Sequence, residues 1–155
     1  MGELKQSWVT VDSSSDFSIY NIPFGVVNHN NSKKVASRIG DFAVDLSVLF
    51  SAGLLNNLGF IASDFEADKL NPMMKKGKSG TRKLRNKIQE LLSDETNKAE
   101  VEKSLISISN ISMEMPIEIG DYTDFYSSIE HATNVGTMFR DPDNALLPNW
   151  KYIPV

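Results

Sequence analysis

The fold is decided by residues 24–46, which read FGVVNHNNSKKVASRIGDFAVDL. This stretch contains three short apolar segments, at residues 24–27, 35–39 and 42–46. Gly40 and Asp41 separate the second segment from the third, and both residue types accept the positive φ angles of tight hairpin turns. Residues 28–34 separate the first segment from the second, and the asparagine-rich residues 28–31 predict a longer loop. The pattern therefore predicts a meander of small β-strands.

Helical spacing replaces strand alternation after this stretch. Ser47 is expected to cap a short helix that runs through Phe50. A stripe of leucines then continues at helical spacing until a glycine at position 59 interrupts it: Leu54, Leu55 and Leu58. The clearest helix is expected to begin near Gly80 or Thr81. Its apolar residues fall at i, i+4, i+7 and i+8, which places them on one face: Leu84, Ile88, Leu91 and Leu92.

The remaining pattern sets the predicted domain organisation. A shorter helix is predicted over residues 96–105, and strand alternation returns over residues 105–111. Pro116 marks the predicted boundary, because proline lacks the N–H that strand pairing needs. We therefore predict a first domain over residues 1–115 and the start of a second over residues 116–155. The predicted fold class is mainly β with short helices, α+β.

Composition indicates a soluble globular protein. The chain has 155 residues, 41% of them hydrophobic, and a formal net charge of -4. It contains no cysteine, which excludes a disulfide framework, a thiolate metal site and a cysteine nucleophile. The N-terminus lacks the apolar core of a signal peptide, and no apolar run approaches the about 18 residues of a membrane span. We therefore expect a cytoplasmic protein with no membrane partner.

Residues 75–87 carry seven basic residues and no acidic one. One interpretation is a contact with phosphate or nucleic acid, and the other is a solvated helix face opposite Leu84, Ile88 and Leu91. The second is favoured, because no aromatic residue interleaves the basic ones to stack on single-stranded bases. No nucleic-acid partner is therefore expected.

Reactive residue types converge between residues 120 and 140. His131 carries an imidazole, the side chain best matched to taking a proton from water near neutral pH. Asp121 and Asp124 offer the hard oxygen ligands that Ca²⁺ or Mg²⁺ prefers. Arg140 can hold a substrate carboxylate in a planar two-point contact, and Tyr126 can add a hydroxyl donor. These residues form a candidate hydrolytic site.

Two other interpretations of the same region stay open. Asp121 and Asp124 can instead cap a helix that starts near Tyr126, with the histidine and the arginine on its outer face. A serine triad built from Ser127 or Ser128 with the histidine is also conceivable. It is the weaker interpretation, because no Gly-x-Ser-x-Gly pattern surrounds either serine.

Several segments of the chain resemble the fumarylacetoacetase family. In the region of the candidate site they are IGDYTDFYSS at residues 119–128, HATNVG at 131–136, MFR at 138–140 and NALLPNW at 144–150. Nearer the N-terminus they are DF at 16–17, NIPFGV at 21–26, RIGD at 38–41 and DLSV at 45–48. Residues 52–110 resemble the family loosely, so the resemblance spans nearly the whole chain.

The resemblance implies a fold and an activity. The fold is an N-terminal SH3-like β-barrel domain followed by the incomplete start of a β-rich catalytic domain. The implied protein is a homodimeric cytoplasmic enzyme of tyrosine and phenylalanine catabolism that acts on a small-molecule substrate. The family cleaves 4-fumarylacetoacetate with water to give fumarate and acetoacetate, and it uses Ca²⁺ at the site with Mg²⁺ also bound.

Carried over residue by residue, the resemblance implies that Asp124 is a metal ligand and that His131 activates water. Tyr126 and Arg140 match the pair that binds the substrate. The other metal ligands are expected beyond Val155, since one aspartate cannot supply the six or more oxygens that such a cation takes. We therefore expect these residues alone to bind metal poorly and to turn over no substrate. The alternative is a non-catalytic domain that supports folding or dimer formation, or that regulates a larger protein.

Overall fold

The computed structural model describes residues 6–121 and 126–152. The chain divides into two compact units, Met1–Glu118 and Ile119–Val155, which are described separately. The division into domains 1–115 and 116–155 stays a prediction from the sequence.

Five strands form one antiparallel sheet in the first unit: β1 Phe24–His29, β2 Ser32–Ile39, β3 Phe42–Asp45, β4 Leu105–Ser107 and β5 Ser112–Glu114. Their order in the sheet is β4-β3-β2-β1-β5. The predicted meander of the first three strands is confirmed. Within the described residues β4 and β5 are the edges of an open sheet. The predicted SH3-like barrel is therefore not confirmed, because a barrel requires its edge strands to pair with each other.

Six α-helices accompany the strands in the described residues: α1 Leu46–Ser51, α2 Ala62–Phe65, α3 Asn71–Met74, α4 Gly77–Ser93, α5 Lys98–Glu102 and α6 Ile129–Thr137. Short 3₁₀ helices occur at Glu95–Asn97, Ile108–Asn110, Pro142–Asn144 and Pro148–Tyr152. Helical residues outnumber strand residues, mainly because α4 is long. The fold is therefore mixed helix and sheet, which confirms the antiparallel strands and short helices of the predicted α+β class, although the described residues are not mainly β.

Two hairpin turns set the register of the first three strands. Gly40 has a φ of +51°, and Ile39 lies opposite Phe42, so the tight turn predicted there is confirmed. The longer loop predicted over residues 28–31 is wrong, since β1 and β2 pair up to the two residues Asn30 and Asn31. These asparagines have φ angles of 52° and 60°. Two successive positive φ angles match the twist of antiparallel strands, and asparagine tolerates them better than most residues.

The cap of α1 is an aspartate and not the predicted Ser47. Asp45 Oδ1 accepts hydrogen bonds from the Ser47 backbone N–H at 2.9 Å and from the Ser47 hydroxyl at 2.6 Å. The predicted third strand therefore ends one residue early, and Leu46 opens the helix. The leucines after α1 do not continue a helix, because Gly53 and Asn57 have positive φ angles.

The predicted helix over residues 96–105 is shorter than expected. Asp94 caps a 3₁₀ turn by accepting the Thr96 N–H at 2.8 Å, and α5 follows it. Leu105 belongs to β4 instead, paired with Val44. Of the predicted alternation over residues 105–111, only the first three residues form a strand.

The core lies between α4 and one face of the sheet. The four apolar residues that predicted α4 are all buried: Leu84, Ile88, Leu91 and Leu92. They belong to one cluster with sheet residues that include Val26, Val35, Ile39 and Val44. The opposite face of the sheet carries only a small cluster of buried residues: Val27, Ala36 and Ala43. The prediction that α4 is amphipathic is confirmed, although the helix begins at Gly77 and not near Gly80 or Thr81.

Several basic residues of segment 75–87 bind within the first unit. The contacts are Lys76 Nζ to Asp64 Oδ2 at 3.1 Å, Lys87 Nζ to Glu90 Oε1 at 2.6 Å, and Arg85 Nε to the Ile22 carbonyl oxygen at 3.0 Å. These contacts agree with a structural helix face. The absence of a nucleic-acid partner stays a prediction.

Candidate functional site

The candidate site is built around α6 in the second unit. Ser128 caps this helix, since its Oγ accepts the His131 backbone N–H at 3.2 Å. The helix therefore starts three residues after Tyr126. Of the two aspartate caps considered from the sequence, Asp121 is not the cap, and Asp124 lies outside the described residues. Ser128 Oγ also donates to Glu130 Oε2 at 2.8 Å. Ser128 is therefore engaged as a cap and not as the nucleophile of a triad.

Glu130 occupies the first turn of α6, where the positive end of the helix dipole favours a carboxylate. Hydrogen bonds from its own backbone N–H and from the Ser128 hydroxyl lower the pKa of Glu130. The start of α6 is therefore stabilised by an ionised carboxylate, and His131 is the next residue along the chain.

The His131 and Tyr126 rings are in edge-to-face contact. Their centroids lie 5.3 Å apart and the ring planes meet at 86°. Both side chains are exposed, and neither nitrogen of the His131 ring is hydrogen-bonded to a described residue. The imidazole is therefore positioned by the helix and by the tyrosine ring, with its nitrogens accessible to solvent.

Arg140 is fixed at the other side of the site by the turn that follows α6. Its backbone N–H donates to the Gly136 carbonyl oxygen at 2.9 Å, and its Nη1 donates to the Ala145 carbonyl oxygen at 3.2 Å. Gly136 is buried, and a Cβ atom at this position would overlap the Ala145 carbonyl group. The close approach of Ala145 to α6 thus requires a glycine, and this approach supplies the acceptor that holds Arg140.

A cleft of about 170 Å³ lies between these groups. Its lining includes Tyr126, Ala132, Arg140, Ala145, Asn149 and Trp150. The structure thus brings Tyr126 and Arg140 to one cleft, with His131 against the tyrosine ring. Their functional roles stay predictions.

Sequence reasoning missed several residues that shape the cleft. Gly136 and Ala145 lie inside the segments that carried the family resemblance, but they received no role, as did Asn149 and Trp150. The signal available for Gly136 was a glycine inside an otherwise helical pattern, which commonly marks close packing. Its partner could not be read from the sequence.

The described residues contain no group of three or more histidine, aspartate or glutamate side chains that could hold a metal ion. Asp121 is exposed, and the predicted ligand Asp124 lies outside the described residues. Since a hard cation such as Ca²⁺ takes six to eight oxygens, this part of the chain does not by itself fit such a site.

Comparison with known proteins gives a consistent result. The family described as "Fumarylacetoacetase N-terminal" matches residues 20–116. The chain is 45% identical to a fumarylacetoacetase of Dictyostelium discoideum over 97% of its own length and 37% of that protein. It is 40% identical to a fumarylacetoacetase of Rattus norvegicus, over 96% of this chain and 37% of the relative. It is 38% identical to a fumarylacetoacetase of Arabidopsis thaliana, over 98% of this chain and 38% of the relative. The chain thus spans well under half the length of these relatives. Because the family match covers more than half of its residues, the chain belongs to the fumarylacetoacetase N-terminal family.

Proposed function

We propose that this chain forms the N-terminal part of a fumarylacetoacetase, a hydrolase that cleaves a carbon-carbon bond of 4-fumarylacetoacetate with water. The products are fumarate and acetoacetate. The observation that carries the proposal is the cleft shared by Tyr126 and Arg140, with the His131 ring 5.3 Å from the tyrosine ring. The relatives support the proposal, since proteins named fumarylacetoacetase align with nearly the whole of this chain.

Arg140 and Tyr126 are proposed to hold a carboxylate of the substrate. One Nη of Arg140 is held by the Ala145 carbonyl oxygen, and the rest of the guanidinium fork makes no hydrogen bond to a described residue. A planar guanidinium can grip a carboxylate through two parallel N–H donors, and a phenol can add a third. Binding a remote carboxylate aligns the ketone that is attacked, which lowers the entropic part of the barrier.

His131 is proposed to be the general base. Its imidazole takes a proton from water, and the resulting hydroxide adds to the carbonyl carbon of the ketone. The tetrahedral adduct collapses with cleavage of the carbon-carbon bond, the attacked carbon becomes a carboxyl group of fumarate that loses its proton to solvent, and acetoacetate leaves as its enolate. The imidazolium returns its proton to the enolate carbon, so that the histidine ends the cycle neutral.

The resemblance also implies Ca²⁺ or Mg²⁺ at the site, where the ion would polarise the carbonyl oxygens. The described residues alone do not fit such an ion, since they hold no cluster of three or more acidic or histidine ligands. The role of Asp124 as one ligand therefore stays a proposal, and none of the steps above depends on it.

The wider setting is part of the same proposal. The resemblance implies that the complete protein is a homodimeric cytoplasmic enzyme of tyrosine and phenylalanine catabolism. It also implies that its N-terminal domain is SH3-like. In the described residues no helix is both long enough and apolar enough to span a bilayer. A purely non-catalytic role is not favoured, since the relatives are named as enzymes.

The test is a pair of histidine variants in the complete protein that contains this chain. We expect His131→Ala to lower kcat for fumarylacetoacetate by about 10² to 10⁴, the usual contribution of a general base. The matched control is His29→Ala, since His29 is the other histidine and its Nδ1 bonds the Asn110 carbonyl oxygen in the first unit. Circular dichroism establishes that both variants fold. Undiminished turnover in the His131 variant would refute the proposed role.

A further inference from the structure

The first unit contains a second cavity, on the face of the sheet opposite α4. It has a volume of about 510 Å³, within the usual range of small-molecule sites. Its floor is formed by small residues on three neighbouring strands: Gly25 on β1 lies opposite Ala36 on β2, and Ala43 lies on β3. Because these side chains are short, the middle of the sheet is hollow on this side.

The lining of the cavity is apolar apart from Arg38 and the Ser37 hydroxyl. Phe17, Ile111 and Met113 contribute apolar walls, and Met113 is 71% exposed. Arg38 is the charged residue of the lining. An apolar cavity with a single charged group on its wall is the arrangement expected of a site for an amphipathic ligand.

Arg38 is held in place by uncharged groups. Its Nε donates to the Gly40 carbonyl oxygen at 2.9 Å, and its guanidinium carbon lies 3.6 Å from the centroid of the Phe17 ring. No carboxylate of the described residues forms an ion pair with it. On the same face Lys34 and Asp45 pair with each other, with Nζ 3.6 Å from Oδ2. The positive charge of Arg38 is therefore fixed in direction but not neutralised.

The floor of the cavity disfavours a peptide as its occupant. Strands β1, β2 and β3 are each paired on both sides, so they have no free edge that could accept an added strand. The Ser37 hydroxyl, which also lines the cavity, already donates to the Pro23 carbonyl oxygen at 2.8 Å. An extended peptide would bring backbone N–H and C=O groups that the cavity cannot satisfy. A ligand with one polar group avoids that cost.

We propose that this cavity binds an amphipathic monocarboxylate, with its apolar body on the alanine and glycine floor and its carboxylate on Arg38. The site lies in the first unit and does not depend on the function proposed for the cleft near His131.

The probe is octanoate, titrated into the 155-residue chain by isothermal calorimetry, with octan-1-ol as the uncharged comparison. We expect saturable binding of one octanoate per chain and at least about tenfold weaker binding of octan-1-ol, since a charge-assisted hydrogen bond contributes enough for such a factor. No binding of octanoate, or equal binding of both compounds, would overturn the proposal. In that case a protein segment that covers this face of the sheet would be the better candidate for the occupant of the cavity.

Three variants sharpen the test. Arg38→Met should weaken octanoate binding about tenfold and leave octan-1-ol binding unchanged. Arg82→Met is the matched control, because it removes the same charge at an exposed position of α4 that does not line the cavity. Ala43→Leu fills the floor and should weaken the binding of both compounds. Thermal unfolding of each variant shows whether it folds. Equal losses for the two arginine variants would contradict the proposal.

Discussion

Gly136 gives the sharpest test of the geometry of the candidate site. A Cβ at this position would overlap the carbonyl oxygen and carbon of Ala145. These are backbone atoms, so no side-chain rotation can relieve the overlap, and the turn that carries Ala145 must move away from α6. Replacing glycine by alanine inside a helix normally stabilises it by about 1 kcal/mol. Overpacking of a close contact costs about 1–3 kcal/mol, and a backbone contact lies toward the upper end of this range.

We therefore expect Gly136→Ala to lower the free energy of unfolding of the second unit by about 1–2 kcal/mol, the difference between these two terms. The displacement also withdraws the Ala145 carbonyl oxygen from Arg140 Nη1. In the complete protein the proposed function then predicts a raised KM, because the arginine that binds the carboxylate loses its fixed position.

The assay uses the two tryptophans, one in each unit. Trp8 packs in the first unit, with its indole N–H on the Leu91 carbonyl oxygen at 2.9 Å, and Trp150 lines the cleft. In chain labelled with 5-fluorotryptophan, the ¹⁹F resonance of Trp150 should shift, and its urea transition should move to lower concentration. The Trp8 resonance serves as the internal reference. The matched control is Gly120→Ala, since a Cβ there meets no atom within 4 Å. A Gly136 variant as stable as the parent, with an unshifted Trp150 signal, would refute the close approach of Ala145.

Two further predictions concern caps. Asp45→Ala should lower the free energy of unfolding in urea by about 1–2 kcal/mol, because α1 loses its cap and Lys34 loses its ion-pair partner. Ser47→Ala leaves the carboxylate in place and should cost less. Similar losses in both variants would argue against the aspartate as the cap. The second prediction concerns pH, since the pKa of Glu130 is lower in the folded state than in the unfolded state. The ionised Glu130 carboxylate therefore stabilises α6 fully above the unfolded-state pKa. This stabilisation is lost as pH falls through the folded-state pKa. A carbon-detected NMR titration of Glu130 should show this lowered midpoint, and Ser128→Ala should raise it; an unchanged midpoint in the variant would exclude the serine hydroxyl as a cause.

The sequence was most informative where one local signal decided the structure. The spacing of Leu84, Ile88, Leu91 and Leu92 predicted the buried face of α4 correctly, because a 3.6-residue period has no other common explanation. Gly40 likewise marked a hairpin turn. In contrast, the sequence predicts Asn30 and Asn31 as part of a longer loop. Asparagine is common both in loops and at positive φ, and only strand pairing decides between these two possibilities.

Errors arose where a residue could belong to either of two elements. Leu46 continues the apolar pattern of β3, yet it opens α1, because Asp45 is buried and its carboxylate caps the helix. At the candidate site, the roles of His131, Tyr126 and Arg140 stay predictions from the sequence and the resemblance, whereas the Gly136 contact with Ala145 is a packing contact between separate elements. No residue pattern along the chain encodes such a contact.

The order of the strands has a consequence for biosynthesis. The first three strands leave the ribosome as two local hairpins, but their neighbours β4 and β5 follow only after about 60 further residues, which at typical translation rates of roughly 5–20 residues per second takes several seconds. During this interval the nascent hairpins expose two unpaired backbone edges, the feature through which partly made sheets associate with one another. Slower translation between α1 and β4 would lengthen this exposure, and a chaperone that shields strand edges would act on this species in particular.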